Sequence, residues 1–310
     1  MKIAYVLPHL QLYGGVRRAL ELCNRLLTRG HEVYFYTPSG QPCAWFDNHV
    51  PVKRLEEAGQ EEFDLVVFSL ESQWEEPKRF DTKAVLYYIL HYGPLYKYPD
   101  VCRRSYQEPY YQIANSSWTA EHIERETGRR PPVVHGGINF DIFHPVDVPK
   151  IYDVLCYGDK RRPWKGRAEV ELIEGARPEW VIGYMADIDP PQDEIASVYC
   201  SSRVFFSSSW FEGWNWMGLE AMACGIPLVV TKDGGSADYA EDNVNCLIVP
   251  PKSPELARRV IKYLLVNKAL QKRYRTTGLE TARRFTWEKS VETFEEQCEK
   301  AIDHFRDQDA

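Results

Sequence analysis

Several features that would assign a chain to a specialised class are missing from these 310 residues. The eight cysteines include no Cys-x-x-Cys pair, so a zinc or dithiol site of that kind is not expected. The longest purely apolar stretches, such as 84–90, are far shorter than the ~20 residues that cross a bilayer. Basic residues are not in excess either: the net charge is -7, which disfavours a nucleic acid partner. With 44% hydrophobic and 27% charged residues, the composition is typical of a globular protein with room for two domains.

The cysteines and the first residues of the chain indicate the cellular compartment. Cys23, Cys156 and Cys246 lie in apolar segments, which predicts buried reduced thiols rather than disulfides or metal ligands. Met1 and Lys2 lead directly into an apolar strand, without the pattern of a signal peptide. We therefore expect a cytoplasmic protein, with peripheral contact at the inner face of the membrane left open.

Strand–helix alternation occurs twice along the chain. Residues 2–7 form an apolar strand, apolar residues between 16 and 27 recur at helical spacing, and 31–37 is the next strand. This βαβ opening predicts a parallel sheet. The segment 136–150 lacks periodicity and contains prolines, as an interdomain linker does. Beyond it the alternation restarts, which predicts an α/β protein with two Rossmann-like parallel-sheet domains facing a central cleft.

The predicted domains are residues 1–145, residues 146–285 and a C-terminal helical tail over 286–310. Further strands are predicted at 65–69, 84–90, 111–115, 132–135, 152–157, 180–184, 204–207, 227–231 and 246–249, and a helix at 119–127.

Two carboxylates eight residues apart, Glu212 and Glu220, mark the most informative segment. A helix that starts near Asn215 directs free N–H groups and the positive end of its dipole at the preceding loop, which suits a diphosphate. Asn215 fits the N-cap position of that helix. Glu220 lies ~7.5 Å along the helix axis, within reach of ribose hydroxyls. Glu212 precedes the helix and can accept hydrogen bonds from sugar hydroxyls. Two solvated glutamates beside an ordinary turn are the alternative.

The segment from Glu212 to Thr231 (EGWNWMGLEAMACGIPLVVT) resembles the Glu-x7-Glu donor signature of the family 4 (group 1) retaining glycosyltransferases. Those enzymes have the GT-B fold. The similarity extends to Gly234-Gly235, to 243–249 and to FTWEKS at 285–290, which resembles the start of the last helix in the family. The resemblance implies that the tail packs back on the N-terminal domain.

Three positions depart from the usual signature. Asn215 stands where the family has glycine, Asp238 where it has glutamate, and Cys246 where glycine is frequent. The change at Asn215 bears on how closely the backbone approaches a phosphate.

Four cations, Lys160, Arg161, Arg162 and Lys165, follow the first strand of the second domain. Such a loop can neutralise a leaving diphosphate in the transition state, although a solvated basic loop is the alternative. In the resemblance, Lys165 matches the lysine of the family, and either Lys160 or Arg161 matches its arginine.

The N-terminal domain offers weaker signals. Gly14 and Gly15 lie between the first strand and helix, where glycine permits close approach of the backbone to a ligand. The resemblance implies a place for both at the donor phosphates, and one for His91 beside the donor sugar. His91 follows the predicted strand 84–90, and His9 is a competing candidate. The tyrosines between 87 and 111, with Arg103 and Arg104, form either an acceptor platform or core packing.

Together with these motifs, the resemblance implies a retaining glycosyltransferase that moves a hexose-type sugar from a nucleotide diphosphate sugar to a hydroxyl acceptor. The donor is expected to carry UDP, GDP or dTDP, and the acceptor to be a carbohydrate, a lipid-linked molecule or a small molecule. The resemblance implies His91, Glu212 and Lys165 as catalytic residues. It implies a donor site made of Gly14, Gly15, Lys160, Arg161, Lys165, Gly213, Trp214, Asn215, Trp216 and Glu220.

No cofactor or metal ion is expected, because lysine, arginine and the helix dipole supply the positive charge. The two Asp-x-Asp spacings, at 187–189 and 307–309, are interpreted as solvated carboxylates. The sequence does not indicate an oligomeric state.

Three other functions compete with this interpretation. An NAD-dependent dehydrogenase is disfavoured because Gly-x-Gly-x-x-Gly is missing and strand 31–37 ends without a ribose-binding acid. A GT-B nucleotide-sugar epimerase and a non-catalytic nucleotide-sugar-binding subunit remain as alternatives. The stretch 165–193 is short for the family, so a strand–helix unit is expected to be missing or merged there.

Overall fold

The computed structural model describes residues 1–96 and 99–309, with the side chains of 308 and 309 left out. The chain divides into two compact units. Unit 1 consists of Met1–Gly136 and the segment that begins at Trp287, and unit 2 is Gly137–Thr286. The change of unit lies between Gly136 and Gly137, within the predicted linker 136–150 and before the predicted domain boundary at 145. Ile138 and Phe143 are already buried in the core of unit 2.

The strands are β1 (Lys2–Val6), β2 (Glu32–Thr37), β3 (Val52–Arg54), β4 (Glu62–Phe63), β5 (Leu65–Phe68), β6 (Asp81–Thr82), β7 (Val85–Ile89), β8 (Tyr111–Ala114), β9 (Tyr152–Cys156), β10 (Ile182–Tyr184), β11 (Ser202–Ser207), β12 (Leu228–Thr231) and β13 (Cys246–Val249). The helices are α1 (Gly14–Thr28), α2 (Pro99–Gln107), α3 (Ser117–Thr127), α4 (Arg167–Ala176), α5 (Met185–Ile188), α6 (Ile195–Cys200), α7 (Trp216–Ala223), α8 (Pro254–Val266), α9 (Lys268–Ala282) and α10 (Trp287–Asp309).

Unit 1 is built on a parallel sheet in the order β3-β2-β1-β5-β7-β8, and β4 pairs with β6 beside it. Its inner strands β5 and β7 are apolar runs because a parallel sheet is covered on both faces. The long helix α10 packs on this unit: the rings of Phe294 and Tyr88 stack at 5.6 Å, and Tyr111 donates a hydrogen bond to Gln297. Trp287, the first residue of α10, is buried beneath Arg25.

Unit 2 is built on a second parallel sheet, in the order β10-β9-β11-β12-β13. Hydrophobic clusters cover both of its faces. Only one strand, β10, comes between β9 and β11 in this part of the described chain, and it lies at the edge of the sheet. Helix α7 connects β11 to β12 and is buried almost throughout.

The predicted α/β class with two parallel sheets is confirmed, and most predicted strands are present to within a few residues. The strand predicted at 132–135 is wrong, since Val133 makes only an isolated bridge to Ala114. Its proline at 132 has no N–H to donate to a ladder. Helix α2 and strand β3 were not predicted.

All eight cysteines are free thiols, as expected, and all but Cys43 are buried. Among the described residues, no helix has both the length and the apolar character needed to cross a membrane.

Candidate functional site

The loop after β11 and the first turn of α7 form the centre of the candidate site. Asn215 is the N-cap of α7, as predicted: its side-chain carbonyl accepts a hydrogen bond from Gly218 N at 3.1 Å. The carbonyl of Asn215 also accepts a hydrogen bond from the Tyr239 hydroxyl at 2.7 Å. These bonds hold the amino end of α7, with the positive end of its dipole, just after Glu212.

Lys165, from the turn before α4, forms an ion pair with Glu212 of this loop. Lys165 Nζ lies 2.5 Å from Glu212 Oε1, and the two side chains are only 15% and 13% exposed. Lys165 precedes Gly166, which has a φ of +70° and lies against Ser208. A Cβ at Gly166 would lie 2.1 Å from Ser208 O, so glycine is required for the two loops to approach. The close approach of the two loops therefore holds Lys165 beside Glu212.

A buried acid, Asp233, lies behind the amino end of α7. Its Oδ2 accepts a hydrogen bond from Asn215 Nδ2 at 2.5 Å, and its Oδ1 accepts bonds from Ser236 N and Oγ at 2.9 and 2.8 Å. Its backbone carbonyl accepts a bond from Glu212 N at 2.9 Å. Burial, with a smaller effect of the Glu212 charge, raises the pKa of Asp233 to about 7. Asp233 was not predicted, because its contacts with Asn215 and Glu212 join segments that are separate in the sequence.

Glu220, predicted to hold a ribose, lies on α7 and is only 4% exposed. Its Oε2 accepts a hydrogen bond from the Tyr199 hydroxyl at 2.8 Å. Tyr199 belongs to α6 and was not predicted as a site residue. A single tyrosine in a short apolar helix gives no signal of such a contact.

The four cations of the predicted basic loop differ in the ion pairs that they form. Arg161 and Arg162 both pair with buried Asp159, at 3.1 and 3.5 Å. Burial alone would raise the pKa of Asp159, but the hydrogen bonds from Arg161 lower it below its ordinary value. Lys160 is exposed and makes no ion pair within the part of the chain that is described. Lys165, the fourth cation of the loop, pairs with Glu212.

The remaining predicted donor residues of unit 2 differ in exposure. Trp214 is buried, and its ring packs at 5.7 Å from Tyr239 and 5.5 Å from Phe285. Any contact of Trp214 with a ligand must therefore come from its backbone. Gly213 is buried and Trp216 is half-buried at the start of α7.

Unit 1 brings a second group together at the carboxyl ends of its strands. His91 follows β7, and its Nε2 lies 3.5 Å from Glu71 Oε2, while its ring contacts Tyr96 at 4.7 Å. Burial alone would raise the pKa of Glu71, but the hydrogen bond and charge of His91 lower it below its ordinary value. Glu71 was not predicted. His9, the competing histidine, packs at 5.1 Å from Tyr13.

Gly14 and Gly15, predicted in the loop between the first strand and helix, are the first two residues of helix α1. A Cβ at Gly15 would lie 3.0 Å from the Leu90 side chain. The structure thus gives this glycine a packing role beside any contact with a ligand.

For the tyrosines between 87 and 111, the structure favours core packing over an acceptor platform. Tyr87, Tyr88 and Tyr106 are fully buried. Tyr98 lies outside the described residues. Arg103 pairs with Glu126, and it lines a hollow of about 450 Å³ with Arg104.

The two Asp-x-Asp spacings differ in their surroundings. Asp187 pairs with Arg167 at 2.8 Å, and the side chain of Asp309 lies outside the described residues. In the described part of the chain, no group of three or more His, Cys, Asp or Glu side chains is arranged to hold a metal ion.

Comparison with known proteins bears on unit 2 first. Residues 189–281 match the family model "Glycosyl transferases group 1". This match includes Glu212 and Glu220 and confirms the resemblance predicted from that segment. The chain is 26% identical over 228 residues to D-inositol 3-phosphate glycosyltransferase of Streptomyces bingchenggensis, a match over 58% of this chain and 50% of that protein. It is 27% identical over 147 residues to O-antigen chain mannosyltransferase B of Escherichia coli, over 46% of this chain and 36% of that protein. The chain thus matches half or less of the length of these relatives.

Solved structures resemble the chain over nearly its full length. Anabaena HepE in complex with UDP and glucose has a TM-score of 0.78 at 15% identity, over 97% of this chain and 100% of that chain. WaaG, a glycosyltransferase involved in lipopolysaccharide biosynthesis, has a TM-score of 0.70 at 13% identity, over 98% and 99%. Likeness at this identity establishes the fold, which is the predicted GT-B fold.

Proposed function

Because residues 189–281 match the group 1 glycosyl transferases within a GT-B fold, we propose that this protein is a family 4 retaining glycosyltransferase. It transfers a sugar from a nucleotide diphosphate sugar to a hydroxyl group of an acceptor. The observation that carries the proposal is the half-buried Lys165–Glu212 pair at the amino end of α7.

In this proposal the diphosphate binds at the amino end of α7. The positive end of the helix dipole favours an anion there. Lys165 adds a full positive charge, and exposed Lys160 or Arg161 adds a second when the donor binds. Fixed positive charge in a half-buried place stabilises the leaving diphosphate as its negative charge grows.

Glu212 and Glu220 have distinct roles in the same proposal. Glu212 keeps one carboxylate oxygen on Lys165 and accepts hydrogen bonds from donor sugar hydroxyls with the other. Glu220, held by Tyr199, binds the ribose. Gly213, Trp214 and Trp216 contribute the backbone that leads into the first turn.

The proposed chemistry is displacement with retention. The bond from the anomeric carbon to the leaving phosphate oxygen breaks on the face at which the acceptor oxygen attacks. The acceptor hydroxyl passes its proton to the leaving phosphate, so no protein nucleophile is needed. In unit 1, His91 contributes to this step, and Gly14 and Gly15 contribute to donor binding, as the resemblance implies.

We further propose a uridine donor and no metal requirement. Complexes of HepE with UDP and with UDP-glucose support the choice of base. The positive charge of Lys165 and of the helix dipole supports catalysis without a divalent ion. The hydroxyl acceptor is a carbohydrate, a lipid-linked molecule or a small molecule.

A thermal-shift screen with UDP-, GDP- and dTDP-sugars, followed by transfer assays, tests this function. UDP-sugars are expected to raise the melting temperature, and transfer is expected to persist with a chelator present. Epimerisation without an acceptor would replace the proposal with the epimerase alternative. Donor binding without hydrolysis or transfer would point to a non-catalytic binding subunit.

A further inference from the structure

Asp233 is a buried acid whose bonding partners are all neutral. It is only 2% exposed, and its two oxygens accept three hydrogen bonds, from the Asn215 amide and from the amide and hydroxyl of Ser236. No lysine, arginine or histidine pairs with its carboxyl group in the described part of the chain. A buried charge without a neighbouring cation costs free energy. The Asp233 carboxyl therefore stays protonated to a higher pH than an aspartate usually does.

Asp233 is hydrogen-bonded to two parts of the candidate donor site, the N-cap of α7 and the loop that contains Glu212. Through Asn215 it reaches the N-cap of α7, because the same side chain that donates to Asp233 accepts from Gly218 N. Through its carbonyl it holds Glu212 N. Asn215 stands where the resembling family has glycine, so this link belongs to the chain's own sequence and not to the common signature.

The charged and titratable groups around Asp233 define its response to a ligand. Glu212 faces it from the loop and disfavours the ionised form, while Lys165 already neutralises much of the charge on Glu212. Buried Tyr239 and Cys246 face it from the following segment and from β13. The adjacent Lys232 is exposed to solvent. An anion placed at the amino end of α7 adds a further negative charge close to this acid.

We infer that Asp233 is a positioning residue of the proposed donor site and takes up a proton when a diphosphate binds at the amino end of α7. The inference rests on the proposed function. The proton is held on Oδ1, and the Ser236 hydroxyl, 2.8 Å away, turns from donor to acceptor. Oδ2 keeps its bond from Asn215, so the N-cap stays in place in both protonation states.

Calorimetric titration with UDP at pH 7, in two buffers of different ionisation enthalpy, measures this proton directly. The wild type is expected to take up a fraction of one proton more per UDP bound than Asp233→Asn, because protons exchanged by the terminal phosphate of UDP are common to both proteins. Asp193→Asn, at an exposed position without a bonding partner in the described residues, is the matched control and should retain the uptake.

An exchange of the two side chains, Asn215→Asp with Asp233→Asn, separates positioning from electrostatics. An aspartate at 215 still accepts from Gly218 N and receives a bond from the asparagine amide at 233, so every hydrogen bond described for the pair has a counterpart. The double variant should melt close to the wild type, whereas Asn215→Asp alone places two carboxylates together and should melt well below it. Since the exchange moves the acid to the first turn of α7, UDP should bind roughly tenfold more weakly.

The outcomes distinguish this inference from the proposed function. UDP binding with no greater proton uptake in the wild type than in Asp233→Asn would overturn the role of Asp233 and leave the donor site intact. Undiminished UDP affinity in the folded double variant would also overturn it. Failure of the wild type to bind any nucleotide or nucleotide sugar would instead remove the proposed function, and this inference with it.

Discussion

Lys165 and Glu212 lie 47 residues apart in the sequence, and their charged groups meet at 2.5 Å. Both side chains are largely buried, so the pair is held by its surroundings and not by its own attraction alone. One partner comes from the turn before α4 and the other from the loop before α7. This contact joins the two sequence motifs that were predicted to bind a donor.

Lys165→Ala is expected to weaken UDP binding and to reduce turnover about 100-fold, because a fixed cation at a leaving group is worth about this much. Glu212 would also lose its partner and turn toward solvent. Lys262→Ala, at an exposed position on α8, is the matched control. Initial rates with saturating donor measure the effect, and equal rates in both variants would refute the role of Lys165.

Tyr199→Phe removes the hydroxyl that holds Glu220 and leaves the ring in the core. We expect a loss of about 1 kcal/mol in the free energy of unfolding, as for one hydrogen bond. We also expect a smaller preference for UDP over 2′-deoxy-UDP, because Glu220 is proposed to read the ribose. Competition binding gives this ratio. An unchanged ratio would mean that the contact is only structural.

His91 and His9 can be separated by substitution. His91→Ala is expected to lower kcat about 100-fold, in the range of a group that acts at the reacting bond, while His9→Ala should change it less than about threefold. The reverse result would transfer the role to His9.

Glu71→Gln tests the partner of His91 through stability. The pKa of Glu71 is lower in the folded protein than its ordinary value, so its contribution is present above that ordinary value. The contribution is lost as the pH falls through the lowered value. The variant should therefore lose less stability than the wild type on acidification, as measured by chemical denaturation at several pH values. Parallel curves for the two proteins would contradict this role.

Asp233 gives the opposite dependence of stability on pH. Its pKa is raised to about 7 in the folded protein, so between its unfolded value and about 7 the folded state holds a proton that the unfolded state has released. The free energy of unfolding therefore falls as the pH rises across this window, by up to about 1.4 kcal/mol per pH unit from this group. Asp233→Asn should remove that slope, so its deficit relative to the wild type should be larger at pH 5 than at pH 8. A deficit independent of pH would exclude the titration.

Local patterns predicted the elements that carry the site. The apolar run at 246–249 is strand β13, and Asn215 caps α7 as its side chain and position indicated. The short stretch after Lys165 holds a single strand, β10, at the edge of the sheet. These features depend on residues that are close together in the sequence, so one sequence is enough to predict them.

The features that were missed depend on contacts between distant segments. Tyr199 beside Glu220 and Glu71 beside His91 are set by how helices and strands pack, which one sequence does not reveal. Trp214 was predicted at the donor site, yet its side chain packs against Tyr239 and Phe285 in the core. Helix α2 was missed because its residues are mostly polar.

Transfer and binding measured together on the wild type and Glu212→Ala test the central claim most directly. A calorimetric titration with UDP-glucose is followed by detection of released UDP and of the anomeric configuration of the product, with Glu212→Gln as the variant of matched shape. The wild type is expected to bind the donor and form a product of retained configuration, while both variants keep the fold and lose transfer. Unchanged turnover in the folded Glu212 variants, or a donor that binds equally well without Lys165, would contradict the account.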